Sequence, residues 1–234
     1  MPDAASHDDI AELFRETGRG RADAVARIIG FRPELARARD ASGLSILRFA
    51  AYIGDEAILR AIIDAGPPLD IFEAAALGCE DALRAHIARD PALARAYDPQ
   101  RGVTPLHDAA AAGASRAIDA LIAAGAAVDA LSREATHRTP LIAACASGGM
   151  EACRALLRAG ADPNARDSAG TTPLMIAARA NDRALAELLV ARNANHDAQD
   201  REGRTAADIA AAAGNRELAA RLRLGERIID RRAT

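Results

Sequence analysis

The 234-residue chain contains no tryptophan and no lysine, and aromatic residues make up only 3% of it. Without bulky rings the core must be filled by small and medium side chains, and Ala alone supplies about a quarter of the residues. Ala buries little area, so such a core has to be thin and built from closely spaced helices. The missing lysine, with arginine carrying the whole basic side, reads as codon bias of a GC-rich genome rather than selection for phosphate recognition. A formal net charge of -3 offers no general pull on nucleic acid or on an anionic membrane. Three cysteines, an odd number without even spacing, argue against a disulfide framework and suit a reducing cytoplasm. No apolar run approaches the roughly 18 residues of a membrane span, and the acidic start Met1–Asp9 leads into no signal-peptide stretch. No glycine-rich phosphate cradle is present, and no serine lies in a nucleophile elbow.

What the chain does have is period. Thr104, Thr139, Thr172 and Thr205 follow one another at intervals of 35, 33 and 33 residues, the mark of a solenoid. Each interval opens with a polar turn and then Thr-Pro, or Thr-Ala in the last copy. Thr can cap a helix, and Pro at the first helical position loses no useful donor. A short Ala-rich helix then ends near Gly113, Gly148 or Gly214. A second, Leu-rich helix follows, with Gly125 or Gly160 as its left-handed stop. Each helix is apolar along one stripe, which only a neighbouring repeat can cover.

The amino-terminal half repeats on a longer scale. Pro33-Glu34-Leu35-Ala36-Arg37-Ala38 returns 58 residues later as Pro91-Ala92-Leu93-Ala94-Arg95-Ala96. Two copies of a two-repeat block are expected, in which a helix pair without a finger precedes the Pro-x-Leu-Ala-Arg-Ala link and a fingered pair follows it. Between Gly66 and Ile71 only Pro67-Pro68-Leu69-Asp70 remain, too few for a hairpin. The total is about seven helix pairs and five fingers. Asp8 or Asp9 is expected to start the first helix, and Ile228-Ile229 either to fold back over Leu222 and Leu224 or to serve as a short anchor.

Gly102-Val-Thr-Pro-Leu-His-Asp-Ala-Ala-Ala-Ala-Gly113 and Leu156-Leu-Arg-Ala-Gly-Ala-Asp-Pro-Asn-Ala165 resemble the ankyrin repeat. The resemblance implies an all-α repeat solenoid of helix-turn-helix units with short β-hairpin fingers. Its expected layout is a polar segment over 1–9, repeats over 10–38, 39–69, 70–96, 97–130, 131–165, 166–198 and 199–224, and a tail over 225–234. It also implies binding through the concave face, formed by finger tips and the first helix of each repeat. On this chain the matching finger positions are Leu44, Arg101, Val103, Arg138, Thr171, Arg201, Glu202 and Arg204. The matching first-helix positions are Tyr52, Ile53, Ala111, Ser147 and Arg179. Tyr52 is unusual there: it is either a contact hot spot or the filler of a hole left by the fingerless third repeat. The finger of the fifth repeat, Leu131–Arg138, is two residues longer than its neighbour and has no Gly, as either a shaped tip or a loose loop.

His107-Asp108 invites a catalytic reading, but neighbouring helical residues point about 100° apart, and in the family this His steadies the fingers. Cys145 and Cys153 can approach each other, yet no metal-ligand spacing accompanies them; Cys79, at a turn, is the thiol expected to be more exposed. No catalytic residue, metal or cofactor is expected. The expectation is a bacterial cytoplasmic monomer, with an unidentified protein as partner and neither nucleic acid nor membrane. It would act as a scaffold or adaptor, or alternatively as an inhibitor or immunity-type protein blocking an enzyme; a ligand-binding or catalytic role ranks below both. Arg101, as a finger residue, is expected to be dispensable for stability.

Overall fold

The structure, a computed structural model, describes residues 7–66 and 69–223. They form fourteen α-helices in seven consecutive pairs, and no strand occurs among the described residues. The pairs are α1 (His7–Gly18) with α2 (Ala22–Phe31), α3 (Ile46–Ile53) with α4 (Glu56–Ala65), and α5 (Ile71–Leu77) with α6 (Glu80–Arg89). They continue as α7 (Pro105–Ala111) with α8 (Ser115–Ala123), α9 (Pro140–Ser147) with α10 (Met150–Arg158), α11 (Pro173–Ala180) with α12 (Arg183–Ala191), and α13 (Ala206–Ala212) with α14 (Arg216–Arg223). First helices pack on first helices from α1 to α13, and second helices on second helices from α2 to α4 and α6 to α10. The expected all-α repeat solenoid is what the chain forms.

Helices this short are marginal on their own, so their ends are fixed chemically and their stripes are covered. Thr139 Oγ1 accepts the N–H of Ile142 at 3.3 Å, and Pro140 takes the first helical position. Gly148, at φ 74°, stops the same helix in the left-handed region. In the fingerless third unit a different start appears: Asp70 Oδ1 accepts the Glu73 N–H at 2.8 Å, while Glu73 Oε2 accepts the Asp70 N–H at 3.1 Å, a reciprocal capping box. Asp8 and Asp9 stand inside the first turn of α1, where their charge complements the helix dipole. The copied links Pro33–Arg37 and Pro91–Arg95 both form 3-10 turns, so the 58-residue block is structural as well as sequential. Pro67, Pro68 and Ile228-Ile229 lie outside the described residues.

Leu106, Ile118, Leu121, Leu141, Ile142 and Leu156 are fully buried, with Ala109, Ala110 and Ala144 between them. The apolar core falls into two clusters, one from Leu13 to Ile62 and one from Ile71 to Leu222, with Leu69 touching both. Five fingers are present, each closed by one backbone bond such as Asp98 N–H to Val103 O (2.8 Å) or Asp200 N–H to Arg204 O (3.0 Å). Instead of the expected hairpin ladders they are turns, with a single isolated bridge at Arg39–Ser45 among the described residues. Finger is bonded to finger by Arg133 N–H to Gly102 O (2.7 Å), Ser168 N–H to Thr136 O (2.8 Å) and Arg201 N–H to Ala169 O (3.0 Å). Gly102 has φ 67°, and a Cβ there would stand 2.8 Å from the Cβ of Arg133; only glycine permits so close an approach. The first finger meets the second across the missing one, since a Cβ on Gly43 would lie 2.6 Å from that of Gln100.

Candidate functional site

The missing finger of the third unit creates a structural problem, and Arg48 solves it. In α7, His107 sits three residues after Thr104, and its Nε2 donates to the carbonyl of Arg138 in the next finger at 2.9 Å. Arg48 sits three residues after Ser45 in α3, the equivalent place. Among the described residues no adjacent finger exists there, and the longer guanidinium reaches past α5 instead. Its Nη1 donates to Asp98 Oδ2 at 2.6 Å, its Nη2 pairs with Asp108 in α7, and its Cζ lies 5.4 Å from the centre of the Phe72 ring. Arg48 is fully buried.

Both carboxylates are engaged on their other oxygens as well. Asp98 Oδ1 accepts the N–H groups of Gln100 (2.9 Å) and Arg101 (3.1 Å), which shapes the second finger. Asp108 Oδ1 accepts the Tyr52 hydroxyl and, at 3.4 Å, Arg101 Nη1. Arg101 also lies 3.3 Å from the Tyr52 oxygen and 3.9 Å from Glu134. Burial works to raise the Asp98 carboxyl, but the Arg101 N–H, the Arg48 guanidinium and the Gln100 N–H together hold it below its ordinary value. Burial pushes the Asp108 carboxyl up, against the pull of Arg48, Tyr52 and Arg101. Burial and then the charge of Asp108 raise the Tyr52 phenol, keeping it protonated as a donor.

Six of the expected site residues, Ala111 among them, come together around this cluster. Tyr52, Arg101, Val103, Arg138 and Ser147 line one cleft of about 320 Å³, together with His107, Asp108, Ser132 and Glu134 and with Ala111, Ala143 and Ala146. Tyr52 is half-buried, with its hydroxyl bound to Asp108. Val103, expected at a finger surface, is a correction: it is 5% exposed and belongs to the core. Arg101 is a second correction, because its ties to Asp108 and Tyr52 make it a brace for buried charge rather than a dispensable tip. Leu44 and Thr171 are half-buried, and Ile53 is exposed but outside the cleft. Arg179, Arg201, Glu202 and Arg204 are exposed farther along, with Arg204 bound to Asp200 and Glu202. Sequence reasoning missed Arg48 and Asp98 and weighed Asp108 only beside His107; the available signal was an arginine inside the apolar run Ile46-Leu47-Arg48-Phe49-Ala50-Ala51.

The long finger of the fifth repeat is fastened. Ser132 donates its N–H to the Arg138 carbonyl at 2.8 Å, and its Oγ accepts the Arg138 N–H at 3.0 Å. His137 takes φ 45°, the left-handed place a glycine fills in other fingers. The Arg133 guanidinium stacks 3.8 Å from the centre of the Tyr97 ring, and the Tyr97 hydroxyl donates to the Leu131 carbonyl at 3.1 Å.

His107 yields a pH prediction. Its Nδ1 faces the Thr104 N–H at 3.3 Å and hydroxyl at 2.8 Å, so Nδ1 accepts and Nε2 carries the proton. Burial lowers its pKa, although the Arg138 carbonyl pulls the other way. A depressed histidine binds fewer protons folded than unfolded, so stability falls as pH drops below the ordinary value of about 6.5. The unfolding midpoint should therefore fall between pH 7 and pH 5 in the wild type, and His107→Gln should flatten that slope. An unchanged slope would rule out His107 as its source.

Cys145 and Cys153 bring their sulfurs to 3.6 Å within the core, and the hydrogen bond between them, followed by burial, raises the Cys145 thiol. Cys79 is half-buried, more open than the other two. Among the described residues no His, Cys, Asp or Glu cluster is placed to hold a metal ion, and no helix is long and apolar enough to cross a membrane.

Stacked helix pairs and finger-to-finger backbone bonds define a repeat solenoid. A family model described as ankyrin repeats (3 copies) matches residues 71–167 and again residues 151–231, more than half of the chain. The chain belongs to the ankyrin-repeat family. No curated protein matches it in sequence. Ankyrin repeats are generally protein–protein interaction modules, and the family is typically non-catalytic. The first two helix pairs precede the matched region, and they are the ones that carry Arg48 and Tyr52.

Proposed function

We propose that the chain binds a protein partner through the concave surface of its fingers and first helices, as a scaffold or adaptor. One observation carries this reading. The apolar stripes are spent between neighbouring repeats, whereas Ser147, Arg179 and Arg201 stay exposed at first-helix ends and finger tips held by backbone bonds. A surface fixed before contact loses little entropy on binding. The same reading places the protein as a monomer in the cytoplasm, where its three free thiols are at home.

The test is capture of the partner from native extract, followed by affinity measurement with the combined variant Arg179→Glu and Arg201→Glu. Both side chains are exposed and lie outside the cleft, so folding should be unaffected while affinity falls roughly tenfold or more. Unchanged affinity would overturn the surface assignment. If the captured partner is an enzyme that loses activity on binding, the role is inhibition rather than scaffolding.

A further inference from the structure

Arg138 stands out among the half-buried arginines. Arg32, Arg39, Arg101 and Arg221 each pair with a carboxylate, whereas the Arg138 guanidinium has no partner among the described residues, and its Nε is buried without one. Removing a cation from water without a counter-charge is costly, and here it is not the result of a loose loop. The backbone of Arg138 is held on both sides, by Ser132 and by His107. The other charges in the cleft are occupied: Asp108 by Arg48, Tyr52 and Arg101, and Glu134 by Arg101 at 3.9 Å and by the Thr136 hydroxyl at 3.4 Å.

We propose that this cleft receives one carboxylate of the protein partner on the Arg138 guanidinium, with the apolar flank of that residue lying against Ala111, Ala143 and Ala146. The planar fork of an arginine matches a carboxylate in two parallel bonds. A doubly charged phosphate would face the same single free guanidinium with Asp108 and Glu134 close by, which favours the singly charged group. The flat alanine floor and the 320 Å³ volume fit a small side chain or a chain end rather than an aromatic ring. The inference rests on the concave-surface reading and supplies the chemistry of what enters it.

The experiment follows the arginine Nε–Hε resonances of the full chain by NMR at constant ionic strength. Four probes are titrated: N-acetyl-aspartic acid amide, N-acetyl-alanine, the neutral N-acetyl-alanine amide and N-acetyl-phosphoserine amide. The expected result is a saturable shift of the Arg138 resonance with one or both acids and none with the amide. Arg138→Gln removes and so assigns that resonance, and in it no other arginine resonance should show a saturable shift with the acids; the Arg138 shift should persist in Arg179→Gln. Preference for the aspartate probe assigns a side-chain carboxylate, and preference for N-acetyl-alanine assigns a chain terminus. Equal shifts with the neutral amide, no shift with either acid, or saturation by a phosphoserine probe below both acids would overturn the proposal. If the acids fail while the rim variants still abolish partner binding, the carboxylate cleft falls and the concave surface stands. If the acids bind and the rim variants have no effect, the cleft stands and the wider surface falls.

Discussion

Replacing Arg48 with Met should destabilise the protein by about 3–5 kcal/mol in denaturant unfolding at neutral pH, the cost of stranding a buried ion-pair partner. Two carboxylates, Asp98 and Asp108, lose their shared guanidinium at once, in a place where Arg48 itself is fully buried. The pH dependence of that loss identifies its cause. Without Arg48, burial acts on Asp108 unopposed by its main counter-charge, so its folded pKa rises further above the unfolded value. A raised carboxyl binds more protons folded than unfolded, and stability is then recovered as pH falls. The gap between Arg48→Met and wild type should narrow toward acid. Adding Asp108→Asn to Arg48→Met should cost much less than Asp108→Asn alone, because the pair is already broken. Additive losses with no pH dependence would mean that Arg48 contributes by packing on Phe72 rather than by charge.

The second large effect is expected in the apolar seam. Leu121→Ala in α8 should cost about 2–5 kcal/mol, the range for emptying a fully buried leucine site. Its neighbours are alanine-rich helices with little side chain to collapse into the space. In a solenoid each unit leans only on the next, so the damage should be local. Hydrogen exchange should accelerate in α6, α8 and α10 before it does in α13 and α14. Arg201→Ala, at an exposed finger tip, should leave the unfolding midpoint in place. Equal losses for the two variants would contradict the burial pattern.

Arg101 shows where reading by position alone goes wrong. As a finger residue it looks like surface, but the fingerless unit before it lets Tyr52 and Asp108 come within its reach. Val103 fails for the related reason that a finger has an inner side, and in this copy the inner side is part of the core. Tyr52 offers two roles on sequence alone. Its hydroxyl bond to Asp108 makes it a strut, while one edge still lines the cleft.

The period, the helix pairs, the stops at Gly148 and Gly125, the five fingers and the lack of room for a third-unit finger are all legible in the order of residues. These depend on local chemistry: caps, left-handed glycines and stripes at helical spacing act within a few residues of one another. Only the tertiary structure decided that Arg48 reaches Asp98 and Asp108, 50 and 60 residues away, and that Arg138 is left with no counter-charge. Both outcomes follow from how far a side chain extends across a neighbouring repeat, a distance set by packing rather than by sequence spacing.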